Sequence, residues 1–276
     1  MTAKHLSDTV TLHNGVAMPW FGLGVWRTPE GQVVEDSVRY ALEAGYRHID
    51  TAALYANEVG VGNAIRASGI PRNEIFVTSK VWNSDQGYDQ TLKAFDATQE
   101  KLKLGTLDLY LIHWPVAGKY QETWRALERI YEEGRVRAIG VSNFQGHHID
   151  TLLAEANVVP MVNQVELHPL LRQTELAEYC RSHHIQIEAW SPLMQGHLDQ
   201  PVITTLAQKY QKTAAQIVLR WDLQRQIVTI PKSVHQDRII ENAQVFDFEL
   251  DDEDMQAIDD MNRDQRFGPD PDHFDF

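Results

Sequence analysis

Only one cysteine, Cys180, occurs in the 276 residues, so the chain can form neither an internal disulfide nor a thiolate-cluster metal site. Its place in Glu175-Leu176-Ala177-Glu178-Tyr179-Cys180, a helical pattern, reads as a small buried hydrophobe in a protein kept reduced. No apolar run approaches the ~18 residues of a membrane span, and Met1-Thr2-Ala3-Lys4-His5-Leu6-Ser7-Asp8 lacks the apolar core of a secretion signal. Positive charge is scarce too. The 25 Lys and Arg face 39 Asp and Glu, a formal net charge of −14 whose field repels phosphate backbones and anionic lipid. These absences point to a cytoplasmic protein without nucleic-acid or membrane partners.

The glycine-rich phosphate loops are missing as well. Gly22-Leu23-Gly24 and Gly60-Val61-Gly62 both fail G-x-G-x-x-G at its third glycine, and neither a Walker A loop nor a G-x-S-x-G elbow occurs. What is present is ordinary globular composition, 43% hydrophobic and 23% charged, long enough to bury a substantial core. Thr9-Val10-Thr11-Leu12 and Val16-Ala17-Met18 flank His13-Asn14-Gly15, which predicts a hairpin around an Asn-Gly turn.

From Phe21 onward, short apolar runs alternate with longer amphipathic stretches. Phe21 to Leu23 precedes Gln32 to Ala44, His48 to Asp50 precedes Glu58 to Ala67, and Ile75 to Thr78 precedes Asp89 to Leu102. Leu107 to Ile112 precedes Glu122 to Glu132, and Val136 to Val141 precedes His148 to Glu155. Met161 to Val165 precedes Glu175 to Ser182, Ile185 to Trp190 precedes a helical stretch from Pro201 to Gln224, and Val228 to Ile230 precedes Asp237 to Val245. About eight β-then-α units without a linker read as one α/β domain over residues 1–276, a (β/α)8 TIM barrel whose N-terminal β-hairpin covers the floor. The alternative, a doubly wound open sheet, usually carries its nucleotide on an early glycine-rich turn. Near the end, Glu249 to Asp254 predicts an acidic helix start, where carboxylates offset the helix dipole. The tail beyond, with Phe267, Pro269, Pro271, Phe274 and Phe276, reads as an irregular segment able to lie over something apolar, as a lid or as simple packing.

Barrel enzymes carry their chemistry where strands end. Here the ends supply Asp50 with Tyr55 five residues on, Ser79-Lys80, His113-Trp114, Ser142-Asn143, Gln164 to His168, Trp190-Ser191 and Lys232-Ser233. Singly, each is an ordinary cap, solvated charge or core residue. On one rim they form a set with a chemical logic. A free tyrosine, with a pKa of ~10, is a poor acid at neutral pH, and a cation such as Lys80, held by Asp50, would favour its phenolate. Tyr55 would then protonate an oxygen acquiring negative charge while His113 orients it. An acid at oxygen with no protein nucleophile suits carbonyl reduction by a nicotinamide cofactor.

The segments Gly45-Tyr46-Arg47-His48-Ile49-Asp50-Thr51-Ala52 with Tyr55, Lys80, Leu107-Asp108-Leu109-Tyr110-Leu111-Ile112-His113-Trp114-Pro115, Gly140-Val141-Ser142-Asn143-Phe144 and Ile230-Pro231-Lys232-Ser233 resemble the aldo-keto reductase superfamily, nearly end to end. Within it the chain is similar to bacterial 2,5-diketo-D-gluconate and glyoxal or methylglyoxal reductases. The resemblance implies a catalytic tetrad of Asp50, Tyr55, Lys80 and His113, the set reached from the strand ends. It also implies that Ser142, Asn143 and Gln164 hold a nicotinamide carboxamide and that Trp190, where many relatives have Tyr, stacks on the ring. Ser191, Leu193 and Gln195 would follow the pyrophosphate, and Lys232, Ser233, Val234, Arg238, Glu241 and Asn242 the adenosine end with its 2′-phosphate. His235 stands where several relatives have Arg, so NADPH is the expected cofactor with NADH as a weaker alternative. Trp26, Trp82 and Trp114, with His113, would wall an open cleft for a small polar carbonyl substrate, and the family expectation is a monomer.

Three other classes compete. A metal-dependent barrel could use His48, Asp50, His113, Glu166 and His168, although a rim Lys-Tyr pair suits no common ligand set. A glycosidase could pair Asp50 with Glu166, an arrangement that Lys80 spoils. A barrel that binds NADPH without turnover would act as a sensor.

Overall fold

The computed structural model describes residues 3–276. A hairpin of β1 (Thr9–Thr11) and β2 (Ala17–Pro19) comes first, paired antiparallel as Val10 opposite Met18. Then strands and helices alternate: β3 (Leu23–Gly24), α1 (Gln32–Glu43), β4 (His48–Asp50), α2 (Glu58–Ala67), β5 (Phe76–Val81), α3 (Tyr88–Leu102), β6 (Leu107–Ile112) and α4 (Tyr120–Glu132). The second half runs β7 (Val136–Ser142), α5 (Gly146–Leu153), β8 (Val162–Glu166), α6 (Thr174–Ser182), β9 (Gln186–Trp190), α7 (Pro201–Tyr210), α8 (Ala214–Gln224), β10 (Val228–Thr229), α9 (Gln236–Ala243) and α10 (Asp252–Asp259).

Strands β3 to β10 lie side by side in chain order, all parallel. The ends of the sheet meet. Gly22 N donates to Thr229 O at 3.0 Å, Thr229 N to Trp20 O at 3.0 Å and Gly24 N to Pro231 O at 3.2 Å. Parallel bridges Phe21 to Thr229 and Gly24 to Lys232 shut the ring, giving the expected (β/α)8 barrel. The seam needs glycine for clearance: a Cβ on Gly24 would stand 2.9 Å from Ile230 O, and one on Gly22 2.7 Å from His48 Nδ1.

The hairpin does cover the floor. Asn14 Nδ2 donates to Arg137 O at 3.0 Å, near the start of β7, and His13 Nε2 lies 3.1 Å from Val159 O, just ahead of β8. All of β5 and β6 is buried, as expected of parallel strands with helices outside and a filled barrel inside. On α4, Tyr120, Thr123, Trp124, Leu127 and Ile130 recur at helical spacing and face inward.

One boundary differs from the sequence expectation. The helical stretch Pro201 to Gln224 is two helices, because Gln211 takes φ +53° after α7 and Thr213 then caps α8 by accepting from Gln216 N. Propensity alone does not reveal a break made by one left-handed residue and a capping box. The acidic start of α10 is as expected, with Asp251 capping Asp254 N and Asp252, Glu253 and Asp254 in the first turn.

Candidate active site

Alternation along the strands decides which side chains enter the barrel. His48 and Asp50 lie two apart on β4, as do Thr78 and Lys80 on β5, Gln164 and Glu166 on β8, and Glu188 and Trp190 on β9. A short 3-10 turn, Ala53–Tyr55, folds back after β4 and delivers Tyr55 to the same rim. His113 follows β6 directly.

The four residues of the expected tetrad come together. Lys80 Nζ donates to Asp50 Oδ1 at 2.7 Å, to Thr51 O at 2.9 Å and to Tyr55 OH at 3.3 Å. The His113 ring lies edge-on to Tyr55, with centroids 5.7 Å apart. Behind this group runs a buried polar column. Gln164 Nε2 donates to Asp50 Oδ2 at 2.8 Å and to Glu188 Oε2 at 2.8 Å, and His48 Nε2 lies 3.6 Å from Glu188 Oε1 and 3.3 Å from Thr78 Oγ1. Sequence reading gave Glu188 no role and offered His48 only as a metal ligand. Their signal was alternation, since each lies two residues from a candidate on its own strand.

Burial controls the protonation states. Burial, with Lys80 adding to it, holds His113 well below its ordinary value, so its imidazole is neutral at physiological pH. Burial works against the Lys80 ammonium, but Asp50, then Tyr55 and Glu188, outweigh it and raise its pKa. Tyr55 moves opposite to the sequence expectation. Burial raises its pKa, Lys80 opposes, and Asp50 and Glu188 add to the rise, so the phenol stays protonated. Burial and Asp50 push the Glu188 carboxyl up to about 8, and burial with Lys80 takes His48 down to about 3. Burial also raises the Asp50 carboxyl, opposed by the Lys80 ammonium and the Gln164 amide, so the column pairs Lys80 with Asp50 among groups that burial drives toward their neutral forms.

Next to it, the expected carboxamide residues bond to one another. Ser142 Oγ donates to Gln164 O at 2.7 Å, Asn143 Nδ2 to His113 O at 3.0 Å, and Trp190 Nε1 to Asn143 Oδ1 at 2.8 Å. Asn143 sits at φ +64° in the left-handed region, which asparagine tolerates well. Among the described residues, Gln164 Oε1 has no protein donor, which leaves it free to accept from a ligand amide. Beyond Trp190, Ser191 at φ +54° and Gln195 at φ +52° shape a loop in which Leu193 packs on the core.

The expected phosphate corner lies across the seam. Lys232 follows β10 and is exposed, Ser233 Oγ accepts from His235 N at 3.1 Å, and Val234 is half-buried ahead of α9. Arg238 is exposed on α9, Glu241 O accepts from Gln216 Nε2 at 3.0 Å, and Asn242 is buried. The structure adds a residue that the sequence analysis missed. Arg27 stands beside Lys232 and, after burial, helps push that ammonium's pKa down. Among the described residues, Arg27, Lys232 and Arg238 form no salt bridge, so the neighbouring cations Arg27 and Lys232 have no counterion. Its signal was position, directly after Trp26 at the end of the first barrel strand.

The three tryptophans do not line one open cleft. Trp26 is 44% exposed, with its ring 4.9 Å from Tyr55, and Trp82 lies 5.1 Å from His113. Trp114 is only 6% exposed, because Phe274 and Phe276 of the tail cover it at 5.2 Å each. Phe276 also stacks on Trp82 at 5.9 Å and 3°, and Asn83 Nδ2 donates to Phe276 O at 3.0 Å. An expectation based on short loops alone overlooks a roof that comes from the far end of the chain.

The metal and glycosidase candidates are otherwise engaged. Glu166 Oε1 lies 3.1 Å from His168 Nε2 and accepts from Phe267 N at 2.7 Å. A separate group, His147, His148 and Asp272, brings three ligand atoms within 4.8 Å of one another. There His148 Nδ1 accepts from Gln145 N at 3.1 Å, so in the neutral ring Nε2 carries the hydrogen and donates toward Asp272.

Comparison with known proteins agrees with this geometry. The family model of the aldo/keto reductase family matches residues 20–263. Glyoxal reductase of Bacillus subtilis is 60% identical over 272 residues, covering 98% of this chain and 99% of that protein. Methylglyoxal reductase DkgA of Salmonella typhimurium is 47% identical over 270 residues, 96% of this chain and 97% of that one. A crystal structure of a Gox0644 variant in complex with NADPH superposes with a TM-score of 0.92 at 45% identity, over 98% of this chain and 99% of that one. A barrel of this topology, matched along nearly its whole length, belongs to the aldo/keto reductase family of oxidoreductases.

Proposed function

We propose that the protein reduces small aldehydes and ketones to alcohols, α-dicarbonyls such as methylglyoxal or diketo sugar acids, with Tyr55 as proton donor. The observation that carries this reading is the Lys80 ammonium held between Asp50 Oδ1 at 2.7 Å and Tyr55 OH at 3.3 Å, beside a neutral His113. NADPH, with NADH as a weaker substitute, supplies the hydride.

Several features fit that cofactor. Ser142, Asn143 and Gln164 present amide and hydroxyl groups at the rim, with Gln164 Oε1 free to accept, and Trp190 offers a flat ring beside them. Arg27, Lys232 and Arg238 suit the phosphates, with Ser233, Val234, Glu241 and Asn242 around the adenosine end and Ser191, Leu193 and Gln195 along the loop between.

The chain's own work is acid catalysis. Tyr55 gives its proton to the carbonyl oxygen as negative charge develops there, and the Lys80 ammonium stabilises the phenolate left behind. Neutral His113 donates a second hydrogen bond to that oxygen. A raised Tyr55 pKa keeps the acid loaded, and Lys80 limits how weak it becomes. Trp26 and Trp82 form the apolar walls, and Phe274 and Phe276 of the tail stand between Trp114 and the cleft. The whole chain works as one barrel domain, monomeric and cytoplasmic, a setting that its single buried thiol suits.

The test is loss of absorbance at the reduced nicotinamide band, with methylglyoxal, glyoxal, an aromatic aldehyde and a diketo sugar acid, each with NADPH or NADH. Turnover that withstands a chelator establishes the reductase and sets aside the metal-dependent reading. Silence across the panel with NADPH bound overturns turnover of these carbonyls and favours the sensor.

A further inference from the structure

Gly268 lies where the tail crosses the end of β8. Glu166 Oε1 accepts from Phe267 N at 2.7 Å and Gly268 N at 3.2 Å, and its Oε2 lies 3.1 Å from Gly268 N. The Glu166 side chain is entirely buried, so this carboxylate is an anchor for the tail rather than a solvated charge. Glu166 is also the register partner of Trp190 on the neighbouring strand. Gly268 therefore sits between the anchor and the indole.

The clearance there leaves no room for a side chain unless the indole shifts. A Cβ on Gly268 would come 3.1 Å from Glu166 Oε2, 3.2 Å from Trp190 Cζ3 and closer still to Trp190 Cη2. Gly268 is absent from the positive-φ residues, so its backbone does not demand glycine; the indole does. At its other end Trp190 Nε1 donates to Asn143 Oδ1 at 2.8 Å, and Asn143 Nδ2 donates to His113 O at 3.0 Å. The ring is pinned between the tail and the His113 backbone. Phe267 also stacks on His197 at 4.8 Å and 6°, which ties the tail to the loop after Trp190.

We propose that Gly268 and Glu166 are positioning residues for the cofactor: the Glu166-anchored backbone of Gly268 sets the plane of the Trp190 indole, and through it the grip on the nicotinamide. This inference rests on the reading of Trp190 as the surface against which the nicotinamide lies. It gives the C-terminal tail a part in cofactor affinity, separate from its cover over Trp82 and Trp114.

The test is a double-mutant cycle on Gly268→Ala and Trp190→Tyr, read as the NADPH dissociation constant by calorimetry. A phenol lacks the outer six-membered ring that abuts Gly268. Gly268→Ala alone raises the dissociation constant by about tenfold, while in the Trp190→Tyr background it changes it by less than about twofold. The KM for the carbonyl stays put. Equal losses in both backgrounds, or no loss in either, overturn the proposal. If Trp190→Tyr and Trp190→Ala both leave NADPH affinity unchanged, the stacking reading itself fails. Should Gly268→Ala not fold alone, recovery of folding in the double variant supports the steric coupling. Glu166→Gln then decides in either case, because losing one acceptor for the tail's N–H groups weakens NADPH by about threefold with wild-type Trp190 and leaves the Trp190→Tyr background unmoved. An unchanged dissociation constant in Glu166→Gln overturns the role of the anchor.

Discussion

Lys80 and Asp50 form an ion pair at 2.7 Å in which both side chains are buried. Such a pair is worth little against an apolar substitute, but removal of one partner strands the other. Asp50→Asn leaves the ammonium buried with reduced compensation, and unfolding free energy falls by about 3–5 kcal/mol. Denaturant titration measures this directly. A loss within about 0.5 kcal/mol, the usual range for surface substitutions, would mean that Thr51 O and Tyr55 OH suffice to hold the charge.

Tyr55→Phe removes a hydroxyl and little else. NADPH binding persists, while turnover drops by about 10²- to 10⁴-fold, the usual contribution of a positioned acid. Single-turnover kinetics with saturating cofactor separate the two, and wild-type turnover in this variant refutes Tyr55 as the donor.

Glu188 makes stability depend on pH. Its folded pKa of about 8 lies above the ordinary 4.5, so between those values the folded chain keeps a proton that the unfolded chain releases. The stability associated with that proton is fully present below the lower value, declines as pH rises through the window, and is gone above the upper. Glu188→Gln removes this slope. Melting temperatures across the range should converge on a flatter curve in the variant; parallel curves would mean that Glu188 ionises alike in both states.

If the cations near the seam hold the 2′-phosphate, as proposed, they should tell the two cofactors apart. Arg238→Ala should weaken NADPH by about tenfold, the loss of one charged hydrogen bond, and leave NADH nearly unmoved. His235→Arg should act in the opposite sense. Paired titrations with both dinucleotides decide, and equal losses for NADPH and NADH would detach Arg238 from the 2′-phosphate.

Much of this site could be read from strand ends, because Asp50 closes β4, His113 follows β6, and Lys80 and Gln164 lie within two residues of the ends of β5 and β8. The barrel itself was legible from alternation. What escaped were properties that belong to no single segment. The upward shift of Tyr55 comes first from burial in the closed barrel, with Asp50 and then Glu188 adding to it, and no single segment shows that burial. Trp114 reads as a cleft wall until Phe274 and Phe276 fold over it. Arg27 is an ordinary surface cation until the ring brings Lys232 beside it. Gly268 gives no sign in sequence, since its need for glycine comes from the indole of Trp190 and not from its own backbone angles.

The seam at Gly22 and Gly24 also has a consequence for the order of folding. Its hydrogen bonds to Thr229 and Pro231 join residues more than ~200 positions apart, among the most costly loops to close in chain entropy. During synthesis, β3 to β9 can pair while nearly the last third of the chain is still being made, but the ring cannot shut. Arg27 and Lys232 meet only across that last junction, so the cationic corner exists only in a completed barrel. Unfinished chains therefore lack an anion trap, and a phosphate-bearing ligand that bridges the corner would act as a clasp, slowing hydrogen exchange at Gly22, Gly24 and Thr229 more than elsewhere in the sheet.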